Sequence, residues 1–185
     1  MTMHTPKGDA DVRPHEHDGA QAPAVWNETL AAQHLRHASH LAEQARAAGH
    51  HPFAALLVAP DGRTVLAEQG NIDAVNHAES TLCRNAAARW PADYLWRCTL
   101  VTTVEPCAMC AGTQYWAHIG RVVYGLAEAD LLAITGNHAD NPTLDLPCRD
   151  VFSRGQKPVE VIGPVAAVHD EIAEQHRRFW SDHNG

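Results

Sequence analysis

TLVTTVEPCAMCAGTQYWAHIGRVVYGL (residues 99–126) carries the organisation of the chain in one stretch. Residues 99–103 are rich in β-branched side chains and predict a strand. Pro106 supplies a backbone angle suited to a first helical turn, so a helix is expected over residues 106–116. Residues 121–125 return to a strand pattern. Strand, helix and strand in close succession form a βαβ unit, which joins parallel strands by a crossover.

The pattern extends in both directions. Upstream, the alanine-rich residues 27–48 predict a helix, with Leu30, Leu41 and Ala45 at near-helical spacing and Gly49 beyond its end. Residues 53–59 and 64–68 read as strands around the turn Pro60-Asp61-Gly62, hence a hairpin. Residues 77–89 are helical in composition and stop at Pro91. Downstream, a short helix is expected over 128–134, a long loop over 136–157, a strand over 159–162 and a helix over 169–180. Strands that alternate with helices predict an α/β fold: a three-layer α/β/α sandwich around a mixed, five-stranded, largely parallel sheet.

Length suits one domain. Residues 1–24 lack apolar periodicity and are expected to be a disordered tail, which leaves 25–185 as the folded domain. The net charge of −8 disfavours a nucleic-acid partner, because no broad basic field exists to hold a phosphate backbone. The longest apolar run, residues 53–59, is far too short to span a bilayer, and the N-terminus lacks a secretory pattern. A cytoplasmic protein is expected, and its five cysteines then read as thiols or metal ligands rather than as a disulfide framework.

Two short pieces carry chemistry. Cys107 and Cys110, at i and i+3, lie on one side of a helix start and can chelate one ion. His77, at the start of another helix, brings the protein ligands to three and leaves the fourth tetrahedral position to water, the pattern of a catalytic zinc. Two thiolates cancel the charge of the ion, so an adjacent base is needed, and Glu79 fits that role. Each piece also has a plain explanation. Asn76 and Glu79 could form a capping box, and a lone C-x-x-C could be a redox pair or half of a structural zinc site. A structural site would need a fourth protein ligand, and no second paired motif is present.

Taken together, His77-Ala78-Glu79 and Pro106-Cys107-Ala108-Met109-Cys110 resemble the H-x-E and P-C-x-x-C signature of the cytidine-deaminase-fold zinc deaminases. The run from Glu105 to Gly112 is similar to bacterial guanine deaminases and tRNA adenosine deaminases, and the following Tyr115-Trp116-Ala117 looks more like the guanine enzymes. The resemblance implies one Zn2+ per chain on His77, Cys107 and Cys110, with Glu79 as the catalytic proton carrier. It implies Asn71 as a ligand of the base, Phe53 and Trp116 as pocket wall, and an acidic residue after the second cysteine helix, Asp130 or Asp140, as a further contact. It also implies a homodimer, with the C-terminal Phe179 and Trp180 placed either to cover the pocket or to dock the last helix. The expected reaction is hydrolytic deamination of a nucleobase or nucleoside, a guanine-like purine first. Cytosine, a free nucleoside, an aminotriazine and the wobble adenosine of tRNA are the alternatives, beside an inactive zinc module of the same fold.

Overall fold

The computed structural model describes residues 24–136 and 138–182. The disorder expected of the N-terminal tail therefore falls outside the described residues, apart from Ala24, whose N–H bonds the carbonyl of Pro60 at 2.9 Å. The elements run α1 (Glu28–Ala47), β1 (Ala54–Val58), β2 (Val65–Gly70), α2 (Ala78–Arg89), α3 (Ala92–Leu95), β3 (Thr99–Val104), α4 (Ala108–Trp116), β4 (Arg121–Leu126), α5 (Glu128–Thr135), α6 (Cys148–Ser153), β5 (Glu160–Ile162) and α7 (Ala166–Asp182).

The five strands lie in the order β2-β1-β3-β4-β5. β3 pairs in parallel with β4, and β4 with β5, whereas β1 is antiparallel to both of its neighbours. The sheet is mixed as expected, but its pairings divide evenly, so "largely parallel" is corrected. Two helices are additional to the sequence pattern: α3, and α6 within residues 136–157, where a long loop is expected.

Strand alternation builds the two cores. In β1 every residue is buried, with Leu56 and Val58 turned to one face and Ala55 and Leu57 to the other. One face packs against Ala31, Ala32, Leu35 and Ala38 of α1 together with Leu131 of α5 and Val168 and Ile172 of α7. The opposite face receives Leu82 and Ala86 of α2, Ala111 of α4 and Phe152 of α6. Spacing of three or four residues explains why α1 buries one stripe only, and each fully buried leucine contributes roughly 1.5–3 kcal/mol by leaving water. Asn27 caps α1, its side chain accepting from Leu30 N–H at 2.9 Å.

This topology sets up the site. The carboxyl ends of β3 and β4 feed α4 and α5, while antiparallel β1 brings Phe53 to the same edge, with Asn71 beyond the end of its partner β2. A crevice outside the carboxyl ends of strands is where ligands collect in open α/β sheets.

Candidate active site

His77 and Cys107 are the N-cap residues of α2 and α4. Asn76 is not the cap: its side chain donates to Asp73 at 2.9 Å and accepts from Arg84 at 3.2 Å, so the expected capping box does not form. Pro106 likewise precedes the cap instead of opening the helix, which places Cys107 at the cap and Cys110 three residues into it. Both helices thus present their N-terminal turns to one point.

At that point His77 Nδ1 lies 3.5 Å from Cys110 Sγ and 3.7 Å from Cys107 Sγ. All three ligand atoms fall within 4.8 Å of one another. Zinc–nitrogen and zinc–sulfur bonds of about 2.0 and 2.3 Å in a tetrahedron separate N from S by about 3.5 Å. The donor set therefore suits zinc in chemistry and in spacing. Hydrogen bonding from Cys110 holds Cys107 well below the usual thiol range, and contact with His77 adds to this. His77 is raised, chiefly by its bond with Cys107.

Glu79 is buried one turn face away, at the second residue of α2. Its Oε1 accepts the Thr102 hydroxyl at 2.7 Å, while Oε2 is 3.6 Å from Cys110 Sγ. Burial pushes its pKa up, and the Thr102 hydrogen bond works in the opposite direction. The result is a fixed carboxyl with one oxygen tethered and the other turned to the sulfurs.

A cavity of about 290 Å3 opens over this cluster, lined among others by Phe53, Asn71, His77, Glu79 and Cys107. That is at the lower end of small-molecule sites. Trp116 does not line it: the indole is 77% exposed at the end of α4, near Lys157. Asp140 lines the cavity, whereas Asp130 stands apart and bonds His169 at 3.2 Å. Phe179 and Trp180 are buried against His51 and dock α7 instead of bordering the cavity. Cys83, Cys98 and Cys148 are buried thiols.

Several lining groups were not singled out by the sequence. Val104 and Leu131 supply apolar wall, and residues 141–144 close one side. Glu105 accepts the backbone N–H groups of Cys148 at 2.9 Å and Glu128 at 3.2 Å, tying β3 to the starts of α6 and α5. Thr102 shares a strand face with Leu100, the face under α2, and that parity was the one available signal for its contact with Glu79.

Two helix N-termini that bring an imidazole, two sulfurs and a buried carboxylate to the strand ends of a mixed sheet place the protein among the zinc-dependent deaminases. Residues 28–126 match the family model described as the cytidine and deoxycytidylate deaminase zinc-binding region, and the chain belongs to that family. A probable cytosine deaminase of Schizosaccharomyces pombe is 33% identical over 150 residues, 80% of this chain and 90% of that protein. Guanine deaminase of Bacillus subtilis is 39% identical over 83 residues, 43% of this chain and 53% of that protein. A solved guanine deaminase from Nitrosomonas europaea shares the fold with a TM-score of 0.63 at 21% identity, covering 97% of this chain and all 100% of that one. Among the described residues no helix is long and apolar enough to cross a membrane.

Proposed function

We propose that this protein hydrolytically deaminates a free nucleobase, a guanine-like purine first, with His77, Cys107 and Cys110 as the ligands of one Zn2+. Glu79 carries the protons and is the observation on which the reading stands: a buried carboxyl tethered at Oε1 by Thr102, with Oε2 left on the side of the sulfurs. When bound, zinc supplies the Lewis acidity that makes water nucleophilic near neutral pH.

Glu79 Oε2 accepts a proton from the attacking water and passes it to the ring nitrogen beside the amino-bearing carbon. It then transfers the remaining proton to the departing amino group. The water oxygen ends on the ring carbon, the C–N bond breaks, and ammonia leaves a ring with C=O next to N–H. Asn71 hydrogen-bonds the base and Phe53 packs on its face, a reading supported by both residues lining the cavity. The cavity volume of about 290 Å3 favours a base over a larger ligand. The charge of −8 disfavours tRNA.

Cytosine is the second reading, favoured by the relative from S. pombe, which matches over 90% of its own length. We place the protein in the cytoplasm, where its five free cysteines stay reduced. We also expect a homodimer, supported by exposed Met109 and Trp116 along α4, which light scattering in solution checks.

An ammonia-release screen of the zinc protein over guanine, cytosine, adenine, their nucleosides and aminotriazines tests the substrate. Glu79→Ala should keep stoichiometric zinc and lose turnover. Loss of the metal along with activity would give Glu79 a structural role, and a flat screen would remove the small-substrate reading.

A further inference from the structure

One side chain pins two points of the cavity wall. Glu105 follows the last residue of β3 and is buried. Its Oε2 accepts the backbone N–H of Glu128, the first residue of α5, at 3.2 Å. Its Oε1 accepts the backbone N–H of Cys148, the first residue of α6, at 2.9 Å. The Cys148 thiol bonds the same carboxyl, and burial, with Glu105 adding to it, pushes its pKa up, so it keeps its proton. Between the two pins run α5 and the segment that leads to α6, and this stretch supplies Leu131 and residues 140–144 to the cavity. The metal-binding cluster is held separately, with His77 and Cys107 as the caps of α2 and α4. The backbone of Glu105 does not depend on its side chain either: its N–H donates to the carbonyl of Leu126 at 2.8 Å, and Val104 pairs with Leu126 in the sheet. A change in the carboxyl therefore moves the wall and leaves the strand end ahead of Cys107 in place.

We propose that Glu105 is a positioning residue that sets the size limit of the substrate: by clamping the starts of α5 and α6, it keeps the cavity to the dimensions of a free base and shuts out the sugar of a nucleoside. The proposal rests on the reading of the protein as a free-nucleobase deaminase. A carboxylate accepts on both oxygens, so one side chain serves two N–H donors. Hydrogen bonds to such a group are strong, and leaving either buried N–H without a partner is costly. An amide in its place keeps one acceptor and turns an NH2 group toward the second N–H, so one pin must let go. With one end released the wall recedes, and the cavity of about 290 Å3 admits a larger ligand. The wall holds the ring alike before and during the reaction, so its loss raises KM and leaves kcat.

The test measures kcat and KM of the zinc-loaded wild type, Glu105→Gln and Cys148→Pro on guanine with guanosine and on cytosine with cytidine. Zinc content and thermal melting are followed in each. Cys148→Pro keeps the Glu105 carboxyl but removes its donors on α6. Proline suits the first position of a helix, and Pro147 ahead of it, at ψ 140, has the extended backbone that a following proline requires. Both variants should keep zinc and raise KM for the base about tenfold, with kcat within about threefold. The nucleoside-to-base ratio of kcat/KM should rise about tenfold or more. A general loosening of the fold lowers the melting temperature without moving that ratio, so an unchanged ratio in a folded, zinc-loaded variant overturns the proposal. So does a shift confined to one of two folded variants, because the clamp needs both halves; if one variant does not fold, the ratio in the other decides alone. A wild type that turns over neither base, or takes nucleosides as readily as bases, refutes the free-base reading and this one together. A base-selective wild type whose variants keep its selectivity refutes this one only.

Discussion

His176 provides a measure of how dry the interior beneath α7 is. The residue is fully buried, its Nδ1 accepts the Trp180 indole N–H at 3.4 Å, and its Nε2 has no partner among the described residues. The ring packs against Phe53 with centroids 4.9 Å apart. Burial, with His51 adding to it, lowers its pKa from 6.5 to about 3. An unfolded chain takes up this proton near pH 6.5, and the folded protein resists it until about 3. Between those limits the unfolded state binds more protons, so the contribution to stability is complete above pH 6.5 and is lost as the pH falls. At pH 5 the loss amounts to about 2 kcal/mol, from roughly 1.4 kcal/mol for each pH unit below 6.5. His176→Leu removes this titration. Its pH-independent costs, including the orphaned Trp180 indole, cancel when each protein is compared with itself. Urea unfolding of wild type and variant at pH 7 and pH 5, each with zinc, should show the wild type losing about 2 kcal/mol more than the variant. Parallel pH dependence in the two proteins would refute the reasoning, because it would mean that water or a proton reaches the ring in the folded state.

Two further substitutions test positioning. Thr102→Val keeps the shape of a fully buried side chain but removes the 2.7 Å bond to Glu79 Oε1. A charge-assisted bond of about 1.5–3 kcal/mol predicts a fall in kcat of roughly 10- to 100-fold with zinc retained, and unchanged kcat in steady-state ammonia release would show that Glu79 needs no tether. At Gly120 an added Cβ would lie 2.1 Å from the carbonyl oxygen of Trp96, which is backbone and cannot rotate away. Gly120→Ala should cost about 1–3 kcal/mol in urea unfolding, and a neutral result would mean that the turn ahead of β4 is free to shift.

The route from sequence to this fold was legible wherever the information was local. Alternation set the faces of β1 and β3, and the spacing in α1 set its buried stripe. Direction was also legible: β2 and β3, joined through α2 and α3, run the same way, as a helical crossover requires. Adjacency was not, since β1 inserts between them and pairs antiparallel with both. That choice belongs to the whole sheet and leaves no mark on any one segment. α6 escaped for a similar reason: its six residues have no period, and the N–H of Cys148 at its start is held by Glu105, forty-three positions earlier.

The site divides along the same line. His77, Cys107 and Cys110 were readable because residue type and spacing near two helix starts already limit the chemistry, and the sheet only had to bring the starts together. Trp116 follows Met109, which does line the cavity, by seven residues and so shares its side of α4, but it lies about 10 Å further along the axis at 1.5 Å per residue. Distance along the helix, not its face, takes it out of the crevice, and it stands 77% exposed.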